Sequence, residues 1–394
     1  MPQCAIPVVE SVSAQPSSGA GLARTCRELL HLLAGVSDGR CGRGRDHPVA
    51  AVLALAAAAT VAGMRGYTAI AGWVADVPVE VLTDLYLRAG AVPTSPPSKA
   101  TIWRVLTDTD ADALDAAIGR WLCADPAEQT ATHLRLEGKT VRGAVDADGA
   151  QLHLIAAMTG PPATAVVTAQ ATVDGAKPRE SVAARGLLAR LDLAGTIVTA
   201  DALHTVKATA ELIRSRGGHF VLPVKENRAG LFDALDLLPW RTVPIAHTAT
   251  DVGHGRITTR TIATMPAPAD LPFPHVGQVW LIERYVTTSD GTPISAVAQL
   301  GIASPTPAQL APADLAGYVQ AQWGIEVLHW IRDTLFREDH SRIHTRNGPR
   351  VMASMRNLAI GALRLAGHTR ITEATRWACR NMTRPFTILG LTRS

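Results

Sequence analysis

Apolar and polar positions alternate with two different periodicities along the chain, and the periodicity changes near residue 130. Before that point apolar residues recur at helical spacing, and Val49–Met64 is apolar almost throughout, which predicts a buried helix. This run is shorter than the roughly 20 residues that a membrane span requires. Further helices are predicted at Thr68–Trp73, Val79–Leu87 and Asp112–Leu122. The pattern indicates a helical domain over residues 39–130, preceded at 1–38 by a leader that we expect to be disordered.

A capped helix is predicted at Ser98–Leu106, with Lys99, Thr101 and Arg104 on its polar side. Short helices that are joined by tight turns and end in such a helix are typical of a helix-turn-helix reader of DNA. Ordinary packing among helices produces the same pattern. Both interpretations stay open from the sequence.

From about residue 131 the pattern changes to strands and helices in alternation. Strands are predicted at Leu134–Gly138, Gln151–Thr159, Ala165–Val173, Thr196–Thr199 and His219–Val224, and helices at Glu180–Leu191 and Thr205–Arg216. The order is three strands, helix, strand, helix, strand, which matches a ribonuclease-H-like core, an α/β fold with a mixed sheet and helices on its faces. In that arrangement the first and fourth strands lie side by side.

A β-rich insertion interrupts this core at about residues 226–312, with strands predicted at Arg256–Ile262 and Gln278–Val286. Helical spacing returns over Ala313–Phe336, where Trp323 and Trp330 lie near one stripe and are interpreted as core residues. The chain then ends in a basic helical region. This second domain is therefore expected to extend over residues 131–394.

The net charge of +4 is modest, but it is concentrated near the C-terminus. Between Arg342 and Ser394 ten arginines face a single acid, Glu373. This asymmetry suits a phosphate-rich partner, and a solvated basic face is the alternative. The five cysteines are scattered and lack zinc-site spacing, which indicates a reducing compartment, and we expect a cytoplasmic protein that associates with the nucleoid and has no membrane partner.

Three acids are candidate site residues because of their positions in the predicted elements. Glu137 ends an apolar stretch, Asp201 follows the buried strand Thr196–Thr199, and Glu326 lies in the aromatic helical segment. Sites form at the carboxyl edge of strands in α/β proteins. Aspartate after a strand is also a common helix cap, so Asp201 has two equally weighted interpretations.

Several motifs in a fixed order carry a family resemblance. They are Glu137-Gly-Lys-Thr-Val-Arg-Gly143, Thr199-Ala-Asp-Ala-Leu-His204, Val224-Lys-Glu-Asn227, Gly253-His-Gly-Arg256, Trp323-Gly-Ile-Glu-Val-Leu-His-Trp330, Phe336-Arg-Glu-Asp339 and Arg356-Asn-Leu-Ala-Ile360. Together they resemble the H-repeat-associated (ISAs-type) insertion-sequence transposases, which are DDE enzymes, from about Gly39 to near the C-terminus. The resemblance implies a helical N-terminal associated domain, a ribonuclease-H-like core with a β insertion, and metal-dependent cutting and joining of DNA.

Position by position, the resemblance places the second acid of the triad at Asp201 and the third at Glu326. The first acid falls on Glu137, where the family has aspartate, and Gln322 and Val327 stand where histidine and asparagine are usual. The implied cofactor is Mg²⁺ or Mn²⁺, as two ions, because hard cations are held by few carboxylates together with water and phosphate oxygens. The extra methylene of Glu137 predicts reduced activity or a shifted metal preference, and a decayed transposase that only binds DNA is the alternative.

Double-stranded DNA is the implied partner, as terminal repeats and as target, with a homodimer on DNA. Candidate phosphate contacts are Lys139, Arg142, Lys225, Arg346, Arg350 and Arg356, with surface solvation as the alternative. His204 follows Asp201 and is a candidate for orienting a water molecule or a phosphate, though a histidine near a helix start is an ordinary feature.

Overall fold

The computed structural model describes residues 29–40, 45–93, 95–123, 133–145, 149–173 and 179–392. The expected leader lies outside this range up to residue 28. Residues 29–34 are helical, and Leu29 and Leu33 are fully buried. The prediction of a disordered leader is therefore wrong for its last residues, because these leucines are one helical turn apart and bury the same face.

The N-terminal helices are α1 (Val49–Val61), α2 (Tyr67–Ala75), α3 (Val79–Arg88), α4 (Lys99–Asp108) and α5 (Ala111–Leu122). Every residue of α1 except Val49 is buried, as expected for a helix that is apolar on all sides. The Ser98 hydroxyl accepts the Thr101 N–H at 3.2 Å, so the predicted cap of α4 is confirmed. Lys99 and Arg104 lie exposed on α4.

The strands are β1 (His133–Val145), β2 (Gln151–Thr159), β3 (Val166–Thr172), β4 (Ile197–Ala200), β5 (His219–Val224), β6 (His247–Gly253), β7 (Arg256–Pro266), β8 (Gln278–Thr288) and β9 (Pro293–Ala303). They form one nine-stranded sheet in the order β3-β2-β1-β4-β5-β9-β8-β7-β6. The β1–β4 and β4–β5 pairs are parallel, whereas β2–β3 and the pairs from β5 to β6 are antiparallel. The predicted mixed sheet, with its first and fourth strands adjacent, is confirmed.

The remaining helices are α6 (Glu180–Leu188), α7 (Lys207–Ser215), α8 (Ala229–Asp236), α9 (Pro312–Ala321), α10 (Trp323–Thr334), α11 (Gly348–Leu365), α12 (Ile371–Cys379) and α13 (Arg384–Ile388). Short 3-10 turns follow β4 at Ala202–His204 and β5 at Glu226–Arg228.

The insertion extends the core sheet, because its last strand, β9, pairs with β5. Trp280 is fully buried and lies opposite Gly301, where a Cβ atom would come within 2.0 Å of the indole ring. Only glycine leaves room for that ring. Trp280 also belongs to a core cluster with Ile197 of β4 and Leu315 of α9, so the insertion shares its hydrophobic core with the central strands of the sheet.

The long helix expected over Ala313–Phe336 is interrupted at Gln322. The Ile325 N–H bonds to the Gln322 carbonyl, three residues back, instead of four. Trp323 and Trp330 are 49% and 46% exposed. Their interpretation as core residues is wrong, because α10 buries the opposite face, which carries residues such as Ile325 and Leu328.

The chain divides into two compact units. The core unit contains residues 133–137 and 179–327, and the helical unit contains residues 29–123, 138–173 and 328–392 of the described chain. Strand β1 contributes to both, changing unit after Glu137. The expected boundary near residue 130 therefore does not separate two units, since the N-terminal helices group with the C-terminal helices.

Candidate functional site

Glu137 and Asp201 occupy corresponding positions on neighbouring strands of the core unit. The parallel pairing of β1 with β4 ends with Leu136 opposite Ala200, and the residue that follows each of these two is one of the acids. Neighbouring strands lie about 4.8 Å apart. Two residues that are distant in the chain thus meet at the carboxyl edge of a parallel pair, where the sequence predicted them.

Asp201 also caps the turn that follows its strand. Its Oδ1 accepts the Leu203 N–H at 3.0 Å, and the side chain is half-exposed. The capping interpretation is thereby confirmed. Capping does not exclude metal binding, because a carboxylate has a second oxygen and several lone pairs.

Glu326 is exposed on the first turn of α10, within electrostatic range of Asp201. Burial of part of its carboxyl raises the pKa of Glu326, the Lys225 ammonium lowers it, and the negative charge of Asp201 raises it further. Lys225 directly follows β5, the strand beside β4, and its side chain is exposed. Glu137 and Asp201 thus lie where the parallel pairing of β1 with β4 ends, and the charges of Asp201 and Lys225 both act on Glu326.

Gln322 joins these elements, although the sequence marked it only as a departure from the family. Its Nε2 donates to the Leu136 carbonyl at 3.2 Å, and its Oε1 accepts the Thr199 hydroxyl at 2.5 Å. One side chain thus bonds to β1 beside Glu137 and to β4 two residues before Asp201. The sequence held no local signal for this contact, because its partners lie more than 100 residues away.

His204 is fully buried beside Asp201. Its Nε2 lies 3.1 Å from Oε1 of Glu180 on α6 and 3.8 Å from Oδ1 of Asp201. Of the two interpretations of His204, this placement favours a structural contact between α6 and the turn after β4 over one with water or phosphate.

Lys139 and Arg142 belong to the helical unit and differ sharply in exposure. Lys139 is buried, with its Nζ 2.8 Å from Oδ2 of Asp333 and 3.4 Å from Oδ1 of Asp339. Arg142 is 74% exposed, with its Nε 3.7 Å from Oδ2 of Asp339. The ammonium of Lys139 is occupied by internal carboxylates, whereas the Arg142 guanidinium is open to solvent.

The three C-terminal arginines that were predicted to bind DNA are also unequally placed. Arg356 is 1% exposed and its Nη1 lies 2.7 Å from Oε1 of Glu338. Arg350 is largely buried against Asp115 and Asp112. Arg346 is 67% exposed and is paired with Asp108. Of these three arginines, Arg346 is therefore the one whose side chain is accessible to a ligand.

Oxygen-rich carboxylates suit a hard divalent cation, so the chemistry of the three acids fits Mg²⁺ or Mn²⁺. Burial and, to a smaller extent, the negative charge of Asp201 raise the pKa of Glu326, and a cation between the two acids would offset their repulsion. Within the described residues, however, no three side chains of His, Cys, Asp or Glu already form a ligand cluster for a metal. Glu137 and Asp201 lie on paired strands and Asp201 acts electrostatically on Glu326, but the three acids do not form a closed metal site.

None of the helices in the described part of the chain combines the length and apolarity that a membrane crossing requires.

Comparisons with known proteins agree with the motifs. Residues 146–361 match the family described as "Transposase DDE domain", and residues 30–122 match "DDE_Tnp_1-associated". A relative from Xanthobacter autotrophicus, "Uncharacterized protein in dhlA 3'region", is 32% identical over 230 residues, which are 55% of this chain and 72% of the relative. The "H repeat-associated putative transposase YhhI" of Escherichia coli (strain K12) is 23% identical over 352 residues, 86% of this chain and 90% of the relative.

Among solved structures, a "piggyBac transposase synaptic complex with hairpin DNA" gives a TM-score of 0.44 at 10% identity, with 94% of this chain and 80% of that chain covered. This likeness is too slight to support further conclusions. The family matches confirm the resemblance that the motifs indicated.

Proposed function

Because the chain belongs to the transposase DDE domain family, we propose that it is the transposase of an insertion sequence and cuts and joins DNA strands with divalent metal ions. The register of β1 and β4 carries this proposal, since it aligns Glu137 with Asp201 at one sheet edge. Glu326 supports it by lying within electrostatic range of Asp201.

In this proposal Glu137, Asp201 and Glu326 hold Mg²⁺ or Mn²⁺, as two ions. When bound, the ions stabilise the attacking and leaving oxygens of an in-line displacement at phosphorus. The protein's part is to position its own oxygens. Glu137 and Asp201 extend from paired strands, and the bond from the Leu203 N–H fixes the orientation of the Asp201 carboxylate. Glu326 approaches from the first turn of a helix.

Double-stranded DNA, as element ends and as target, is the proposed substrate. Lys225 is the strongest candidate for a phosphate contact, because its side chain is exposed and its positive charge interacts with Glu326, a proposed metal ligand. Arg142 and Arg346 are exposed candidates in the helical unit. The burial of Lys139, His204, Arg350 and Arg356 argues against direct contact by those side chains. Joining two DNA ends calls for two catalytic subunits, so the proposal includes a homodimer on DNA.

A second candidate function is a transposase-derived protein that binds DNA without cutting it. Glu137 in place of the family's aspartate favours it, because a displacement of about 1 Å in a reacting group can cost about 100-fold in rate. The lack of a ready-made cluster of three ligands among the described residues points the same way.

Cleavage of DNA that carries the inverted repeats flanking the gene separates the two functions. The wild-type protein with Mn²⁺ should nick the repeat ends, and Asp201→Asn should cut at least about 100-fold more slowly, since even groups that only support a metal ligand are worth 10 to 100-fold. Asparagine keeps an oxygen for the Leu203 N–H, so the cap survives while the charge is removed.

Asp270→Asn is the matched control, because Asp270 is an exposed acid of the same core unit. If this control and wild type cut equally while Asp201→Asn does not, the proposed site is supported. Equal cutting by Asp201→Asn would refute it. A wild-type protein that shifts the repeat DNA in a gel but never cuts it would favour the DNA-binding alternative.

A further inference from the structure

Gln322 lies at the interruption between α9 and α10, and both ends of its side-chain amide are used. The Nε2 group can only donate, and its partner, the Leu136 carbonyl, can only accept. The Oε1 atom can only accept, so the Thr199 hydroxyl must donate its proton there. The two partners therefore fix one orientation of the amide.

The same logic extends the chain of bonds to His133. The Thr199 oxygen lies 2.7 Å from Nε2 of His133 and has given its own proton to Gln322, so His133 must donate. Burial, together with the charge of Arg135, lowers the pKa of His133 to about 3. His133 is therefore a neutral imidazole that carries its proton on Nε2. It begins a chain of three hydrogen bonds, here called the relay, which continues through Thr199 and Gln322 to the Leu136 carbonyl.

Three residues of this relay lie one, two or four residues before a proposed metal ligand. Leu136 directly precedes Glu137, and Thr199, in β4, lies two residues before Asp201, which follows that strand. Gln322 lies four residues before Glu326, which is one helical turn. The amide therefore ties together the three backbone segments from which the three acids project.

We propose that Gln322 is a positioning residue that holds the segments carrying Glu137, Asp201 and Glu326 at the spacing that a shared divalent cation requires. This inference rests on the function proposed above. The alternative is that the amide only stabilises the fold, in which case its loss would lower thermal stability and leave cation binding unchanged.

Mn²⁺ binding in the absence of DNA tests the inference without relying on activity. The electron paramagnetic resonance signal of free Mn²⁺ measures this binding. Gln322→Met keeps the length of the side chain and removes both hydrogen bonds, and Thr199→Val removes the hydroxyl from the relay. Each variant should bind Mn²⁺ about five- to ten-fold more weakly, the size expected for one or two lost hydrogen bonds. The double variant should bind about as weakly as either single variant, because both act on one network.

Two control variants separate positioning from general damage. Gln320→Met makes the same change at an exposed glutamine two residues away and should leave Mn²⁺ binding and the melting temperature unchanged. Val319→Ala removes packing from the neighbouring core cluster and should lower the melting temperature without weakening Mn²⁺ binding. Equal weakening by Val319→Ala and Gln322→Met would assign the effect to stability and overturn the inference.

Failure of this inference and failure of the proposed function give different results. If Asp201→Asn loses Mn²⁺ binding while Gln322→Met binds as wild type, the site stands and Gln322 has no positioning role. If Asp201→Asn binds Mn²⁺ as wild type does, the proposed site itself is wrong, whatever Gln322→Met does.

Discussion

Glu137 is longer by a single methylene than the aspartate that stands at this position in the transposase family that the motifs resemble. The side chain begins on a strand whose position is set by pairing with β4 and by the Gln322 bond to Leu136. Because the backbone is held on both sides, the longer side chain cannot be accommodated by moving the strand. The carboxylate of Glu137 should therefore project too far from the sheet edge.

We expect Glu137→Asp to raise the rate of repeat-end cleavage, by up to about 100-fold, because it withdraws the carboxylate by roughly 1 Å. Single-turnover cleavage with Mg²⁺ and with Mn²⁺ measures the gain. Asp201→Glu is the matched reverse change and should lower the rate. A Glu137→Asp protein slower than wild type would show that the site is adapted to glutamate.

At the scale of elements, the motif Phe336-Arg-Glu-Asp339 builds a buried ion cluster in the helical unit. The carboxylate of Glu338 is 2.8 Å from Nη2 of Arg332 on α10 and 2.7 Å from Nη1 of Arg356 on α11. All three side chains are almost completely buried. The cluster joins two helices through one short turn, and its charges are expensive to separate once buried.

The cluster predicts a loss of stability in acid. Burial alone would raise the pKa of Glu338, but the charges of Arg332 and Arg356 outweigh burial and lower it to about 2. A carboxyl whose pKa is lower in the folded state stabilises the protein above its unfolded pKa, about 4.5, and that stabilisation is lost as the pH falls towards 2. The free energy of unfolding should fall by roughly 3 kcal/mol across this window.

Chemical denaturation between pH 6 and pH 2.5 measures this fall. Glu338→Gln should be destabilised at pH 6 by about 3 to 5 kcal/mol, because two buried guanidinium groups lose their counter-charge, and its stability should depend less on pH below 4.5. Glu373→Gln removes an exposed glutamate from the same unit and should keep the wild-type pH dependence. An unchanged pH dependence in Glu338→Gln would contradict the role of the cluster.

At the scale of the whole molecule, each compact unit is assembled from separate parts of the chain. In the helical unit, α11 packs against α1, α4, α5 and β3. Nearly every residue of α11 is buried, including polar ones such as Ser354 and Asn357. The C-terminal helices therefore obtain their core partners from the N-terminal helices.

A fragment of residues 131–394 should not fold cooperatively, although the sequence indicated a domain over that range. Without α1, α4 and α5 the apolar face of α11 would be exposed to water. Thermal unfolding followed by circular dichroism, together with binding of an apolar dye, measures the effect. A fragment of residues 29–394 is the control and should unfold as the full chain does. Cooperative unfolding of residues 131–394 at the full chain's melting temperature would disprove the interdependence.

Much of the fold was predictable because the deciding interactions are local. The alternation in Gln151–Thr159 and in His219–Val224 marked both strands with their observed bounds, and the Ser98 cap marked the start of α4. The interruption at Gln322 was not predictable, because it depends on hydrogen bonds to Leu136 and Thr199 in other strands. The strands β6 and β9 were also missed, since much of each is exposed and carries a weak apolar pattern.

By itself the sequence determined the family and the order of the elements in the ribonuclease-H-like core, and it singled out three candidate acids, because motifs and periodicity are carried by neighbouring residues. Only the tertiary structure decided which basic side chains face solvent. Lys139 and Arg350 look like phosphate contacts along the chain, yet acids far away in sequence neutralise them inside the protein. Long-range pairing sets the burial and charge environment of a side chain, and no local pattern records where its partner will lie.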